Sequence, residues 1–136
     1  MSTGAALPKP VVLVVDDENL IRWSLKERLV RADYAILEAE TGLEALAVFA
    51  ENRVDLVLLD LCLPELDGLG VLERIKKERP ACPVILMTAY GSPDSTERAL
   101  ALGASRVVTK PFDFDLVLGL VRSALPSLGD VPLPRV

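Results

Sequence analysis

The sequence predicts an α/β fold, a doubly wound sheet of five parallel strands with helices on both faces. Three observations carry the prediction. Short apolar runs alternate five times with segments of helical spacing. Most of the runs are continuously apolar, as expected of strands covered on both faces. The connections are short, and regular β-α alternation with short links gives an open parallel sheet. At 136 residues the chain is long enough for one domain with a substantial core. Hydrophobic residues make up 51% but aromatics only 4%, so that core must be built from Leu, Val, Ile and Ala.

The elements follow in order. Val11–Val15 reads as the first strand, and Asn19 to about Val30 as a helix with Ile21, Leu25 and Leu29 on its apolar face. Trp23 on that helix is expected to be a packed residue rather than a binding one. Tyr34–Ala39 is a less apolar strand suited to an edge. Thr41 caps the next helix, and Glu44 three residues on completes a capping-box pattern. Val54–Leu59 is the third strand; a loop through Pro64 and Gly68 leads to a helix ending near Arg79. Val84–Met87 is a short buried strand. Ser92 and Pro93 read as cap and first residue of a helix that stops near Gly103. Arg106–Val108 is the last strand, and Asp113 caps a helix to about Leu125. Residues 1–10 read as a disordered extension, 11–125 as the domain, and the proline-bearing 126–136 as a linker or disordered tail.

Composition excludes several function classes. A net charge of −5 argues against direct nucleic-acid or anionic-membrane binding, which needs clustered Lys and Arg. No apolar stretch is long enough to span a bilayer, and MSTGAALPKP has no apolar signal segment, so a cytoplasmic protein is expected. The absence of histidine rules out a His-ligated zinc site, a Ser-His-Asp triad and a histidine phosphocarrier. Cys62 and Cys82 fall at opposite ends of parallel strands, about 17 Å apart for a strand of ordinary length. A disulfide needs Cα atoms within roughly 7 Å, so both are expected to be free thiols.

The chemistry lies where the apolar runs end. Asp16 and Asp17 follow VVLVV, Asp60 follows VDLVLL, Thr88 follows VILM, and Lys110 follows RVVT. In an open parallel sheet, ligands bind beyond the carboxyl ends of the strands. Carboxylates gathered there raise one another's pKa unless a positive group binds among them. The set therefore calls for a hard divalent cation, and a hydroxyl with an ammonium beside it suits phosphate. The second strand ends in Glu38-Ala39-Glu40 and is expected to lie too far out to take part. Each residue also has a structural use: Asp16 and Asp17 as helix-capping carboxylates, Lys110 as a solvated lysine, and Gly68 for backbone geometry.

Together VVDDE (Val14–Glu18), DLCLPELDG (Asp60–Gly68), MTAYG (Met87–Gly91) and KPF (Lys110–Phe112) resemble a two-component response-regulator receiver domain from about Val11 to Leu125. The resemblance implies a flavodoxin-like (βα)5 fold with strand order 2-1-3-4-5. It also implies a phospho-acceptor, Asp60, that takes a phosphoryl group from a sensor histidine kinase. Mg²⁺ would be held by Asp17, Asp60 and the backbone carbonyl of Cys62, with Asp16 acting through water and charge. Thr88 and Lys110 would contact the phosphoryl oxygens, and a cis bond is implied before Pro111. DDENLIRWSLKERL and ILMTAYGS are similar to receivers of enhancer-binding (NtrC-type) transcription activators. Those precede an ATPase and a DNA-binding domain, and members of the family often dimerise through the fourth and fifth helices. Such a chain is not an enzyme beyond its own phosphorylation and dephosphorylation.

Two positions qualify the resemblance. Receivers usually carry an aromatic residue three positions before the lysine, where this chain has Val107, so an aromatic relay is not expected. Tyr90 is bulky enough to shield an acyl phosphate on Asp60 from water. The competing readings are a degenerate receiver acting only as an interaction module, and an aspartyl-phosphate enzyme. The intact set of five residues argues against the first. The adjacent aspartates and short loops argue against the second.

Overall fold

The computed structural model describes residues 8–63, 66–89 and 92–125. Within them five strands alternate with five helices. These are β1 (Val11–Val15), α1 (Asn19–Arg31), β2 (Ala35–Ala39), α2 (Gly42–Glu51) and β3 (Leu56–Asp60), then α3 (Gly68–Glu78), β4 (Val84–Thr88), α4 (Pro93–Ala101), β5 (Arg106–Thr109) and α5 (Phe114–Ala124). All pairs are parallel and the order is β2-β1-β3-β4-β5, the flavodoxin-like arrangement expected. Residues 1–7 and 126–136, where an extension and a tail are expected, lie outside the described residues, as do Pro64, Tyr90 and Gly91.

Strand alternation divides the core into two layers. Leu13, Val57, Leu59 and Leu86 face Phe49, Val71, Leu72 and Ile75 from α2 and α3. Val14, Leu56, Leu58 and Met87 face Leu25 and Leu29 of α1 and Val117 and Val121 of α5. Successive side chains on a strand point to opposite faces, so a continuous apolar run serves both layers at once. β1, β3 and β4 are buried almost throughout, whereas the edge strands β2 and β5 are partly exposed. Among the described residues no helix is long and apolar enough to cross a membrane.

Local chemistry explains the boundaries. Asp55 accepts a hydrogen bond from the Val11 amide at 2.8 Å, and its own amide donates to the Val11 carbonyl at 2.8 Å. That exchange pins the approach to β3, so the strand starts at Leu56 rather than Val54 and carries Asp60 as its last residue. Thr41 caps α2 as expected, accepting from the Glu44 amide at 3.0 Å. The Glu44 carboxylate, however, accepts from the Glu40 amide at 2.8 Å, one residue before the cap. Ser92 and Asp113 cap α4 and α5 through the amides of Ser95 and Asp115. Cys62 is exposed, Cys82 is buried, and both are free.

Trp23 corrects an expectation. It is 59% exposed, because the buried face of α1 is set by Leu25 and Leu29 with Ile21 packed beside them. At about 100° per residue, position 23 lies roughly 200° around the helix from both positions 21 and 25.

Gly68 opens α3 where the backbone returns to the end of β3. Its amide donates to the Leu61 carbonyl at 2.9 Å. A Cβ there would stand 2.6 Å from both the Asp60 carbonyl oxygen and the Leu61 Cα. Backbone cannot yield as a flexible side chain does, so Gly68→Ala is expected to cost about 1–3 kcal/mol. Urea denaturation measures this, and a loss below about 0.5 kcal/mol would show that the turn relaxes freely.

Candidate functional site

β1, β3 and β5 deliver three charged residues to one end of the sheet. Asp16 leaves β1, Asp60 ends β3, and Lys110 leaves β5, with the Lys110 amide donating to the Thr88 carbonyl of β4 at 2.7 Å. The register sets Asp60 beside Met87 and Thr88 beside Thr109, so the strand ends lie nearly level. A further backbone bond, Leu61 amide to Met87 carbonyl at 2.8 Å, holds the chain leaving Asp60 against β4.

Lys110 is the electrostatic hub. Its Nζ lies 2.9 Å from Asp16 Oδ2, 3.3 Å from Asp60 Oδ2 and 3.1 Å from Glu18 Oε1. Asp16 is fully buried, Asp60 is 3% exposed, and Glu18 reaches in from the surface. The second oxygen of each buried aspartate is held by backbone. Asp16 Oδ1 accepts from the Glu18 amide at 2.9 Å, and Asp60 Oδ1 accepts from the Cys62 amide at 3.1 Å. Asp17 is exposed, yet one carboxylate oxygen each from Asp16, Asp17 and Asp60 lie within 4.8 Å of one another.

Burial pushes the Asp60 carboxyl up to about 6, against the Cys62 amide bond, with the neighbouring Asp16 charge raising it further and Lys110 drawing it down. Burial alone would lower the Lys110 ammonium. Its hydrogen bond to Asp16 and the charges of Asp16 and Asp60 outweigh that and hold it above the ordinary lysine range. One ammonium thus faces a larger anionic charge. The donor set, three carboxylate oxygens in close array, fits a hard divalent cation such as Mg²⁺.

Thr88 is buried at the end of β4, and the Lys110–Pro111 peptide bond is cis. Val107 is half-buried against the α2–α3 layer of the core. Two participants escape the sequence pattern. Glu18 is a third partner of Lys110, its only signal being an acidic residue directly after the aspartate pair. Arg22 connects the site to the second strand, which was expected to stay apart: it binds Glu38 at 3.0 Å, Glu40 at 3.1 Å and the Asp16 carbonyl at 2.7 Å.

The fold and this site define a flavodoxin-like domain with an acidic cluster and one lysine at the carboxyl edge of its sheet. The family model for the response regulator receiver domain matches residues 12–122, and the chain belongs to that family of phosphorylation-based signalling domains. It is 37% identical over 129 residues to the DNA-binding transcriptional regulator NtrC of Salmonella typhimurium, covering 95% of this chain and 28% of that protein. It is 40% identical over 115 residues to sporulation initiation phosphotransferase F of Bacillus subtilis, covering 85% of this chain and 93% of that one. A CheY-like receiver domain protein from Methanospirillum hungatei superposes with a TM-score of 0.82 at 30% identity, covering 85% of this chain and 92% of that one. The likeness to NtrC agrees with the similarity read from the first helix and the fourth strand.

Proposed function

We propose that Asp60 accepts a phosphoryl group from the phosphohistidine of a sensor histidine kinase, and that the modified domain switches the activity of an output. The observation that carries this reading is the single ammonium of Lys110 within reach of two buried carboxylates, with Asp17 completing a trio of acids. Asp60 is mostly ionised at neutral pH, since its carboxyl titrates at about 6. A carboxylate oxygen of Asp60 bonds to phosphorus as the phosphorus–nitrogen bond to the donor imidazole breaks, and the leaving imidazole takes up a proton. The Cys62 amide on Oδ1 fixes the carboxylate plane. Lys110 exchanges its contact with Asp60 Oδ2 for a phosphoryl oxygen, and the Thr88 hydroxyl donates to another.

Asp17, Asp60 and the Cys62 carbonyl would hold Mg²⁺, with Asp16 acting by charge and through water. The bound ion supplies neutralisation of the phosphoryl charge, which transfer through a loose transition state requires. The chain then catalyses only its own phosphorylation and dephosphorylation. The receiver is taken to span residues 11–125. Because the chain spans 28% of the NtrC length, an output ATPase and DNA-binding region in a longer cytoplasmic protein, and a homodimer, are part of this proposal.

The test is intact mass after incubation with Mg²⁺ and acetyl phosphate. One phosphoryl adduct, lost in Asp60→Asn, is expected. No adduct would favour an inert interaction module, and phosphate release far faster than adduct decay would favour an enzyme.

A further inference from the structure

Arg22 stands behind the acidic site, not in it, and every nitrogen of its guanidinium is engaged. Nε donates to Glu38 at 3.0 Å, Nη1 to the Asp16 carbonyl at 2.7 Å, and Nη2 to Asn19 at 2.6 Å and Glu40 at 3.1 Å. The side chain is 12% exposed, so this charge is held in a largely enclosed clamp spanning α1, the end of β2 and the link after β1. A planar fork fixed at several points holds its acceptors in set directions, which a lysine cannot do.

The acceptor that matters is the carbonyl of Asp16. It belongs to the peptide that joins Asp16 to Asp17, and rotation of that peptide would turn the two carboxylates relative to each other. Asp16 is otherwise tied at its side chain, through the Glu18 amide and Lys110. Asp17 is exposed and follows the peptide directly. The sequence gives no hint of this link, because a charged side chain on a helix reads the same whether it is solvated or clamped.

We infer that Arg22 is a positioning residue for divalent-cation binding: it locks the Asp16–Asp17 peptide so that both carboxylates converge with Asp60. The inference rests on reading those three aspartates as the Mg²⁺ site. It has a distinctive sign. By Coulomb attraction alone, removing the positive charge that is bonded to the Asp16 carbonyl should tighten the binding of a cation to the site. By positioning, removal should weaken it.

Calorimetric titration of Mg²⁺ into the wild type, Arg22→Met, Arg22→Lys and Asp17→Asn separates these outcomes, with far-UV circular dichroism confirming the fold of each. The wild type is expected to bind one ion and Asp17→Asn to bind far more weakly. Arg22→Met should lose about tenfold in affinity, the lower range for partners that orient metal ligands. Arg22→Lys keeps the charge but not the fork, and should weaken binding in the same direction; it also carries the test should the methionine variant fail to fold. Wild-type or tighter binding by either variant would overturn the inference while leaving the metal site standing. A wild type that binds no Mg²⁺ would overturn the metal site and the inference together.

Discussion

Asp60→Asn is expected to abolish the phosphoryl adduct and, in the same molecule, to stabilise the metal-free protein at neutral pH. The Asp60 carboxyl moves from 3.8 up to about 6, first because it is buried and then because Asp16 stands beside it. A carboxyl that holds its proton more tightly when folded stabilises the fold fully below pH 3.8. That contribution is lost as pH rises from there to about 6, because the native state then binds more protons than the unfolded chain. At about 1.4 kcal/mol per pKa unit, ionised Asp60 costs the fold on the order of 3 kcal/mol at pH 7. Asparagine removes that cost and still accepts from the Cys62 amide, although it gives up the charge pairing with Lys110. The net gain is expected to be about 1–2 kcal/mol, or on the order of 5 °C in melting temperature. Thermal melts in chelator at pH 7.5 and pH 4.5 measure it. The gain should shrink at the lower pH, and a variant less stable than the wild type at pH 7.5 would sink the account. Saturating Mg²⁺ should narrow the gap by stabilising the wild type through binding to its folded state.

Lys110→Ala should act in the opposite direction and more strongly. It takes the ammonium from Asp16 at 2.9 Å and Asp60 at 3.3 Å and leaves both carboxylates enclosed. Breaking a buried ion pair from one side costs about 3–5 kcal/mol, chiefly because the remaining charge loses its compensation. Near neutrality the native lysine contributes in full, since its titration lies above the ordinary value of 10.5 and its stabilisation fades only as pH rises past that range. Lys110 also lowers the Asp60 carboxyl, so its loss sends that group higher still. The variant's stability deficit should therefore be largest at neutral pH and ease toward pH 5. Mg²⁺ should recover more stability in the variant than in the wild type, because the cation then replaces the charge that Lys110 placed between Asp16 and Asp60. Urea titrations at both pH values, with and without Mg²⁺, give the comparison; a deficit under about 1 kcal/mol at pH 7.5 would refute the hub role of Lys110.

How much of this was legible depends on the range of the physics involved. Caps at Thr41, Ser92 and Asp113 were readable because a side chain and an amide two or three residues on decide them. The start of β3 was not, because it depends on Asp55 meeting Val11, 44 positions earlier. Trp23 faces solvent because its angle around α1, not its residue type, decides its burial. Arg22 carried no sequence signal and Glu18 only its place after the aspartate pair, since a charged residue reads the same in sequence whether it is solvated or clamped.

By itself the sequence determined the alternation of strands and helices and the placement of Asp16, Asp17, Asp60, Thr88 and Lys110 at strand ends, because periodicity and turn chemistry act within a few residues. Only the tertiary structure decided which of those ends meet. The order β2-β1-β3-β4-β5 sets β1 beside β3, and Lys110 crosses 94 positions of sequence to reach Asp16 and 50 to reach Asp60. The same packing brings β2 against β1, so Glu38 and Glu40 hold Arg22 on the Asp16 carbonyl. The reason is that charge pairing follows distance in space: burial shared across neighbouring strands chooses the partners, and no local pattern encodes that choice.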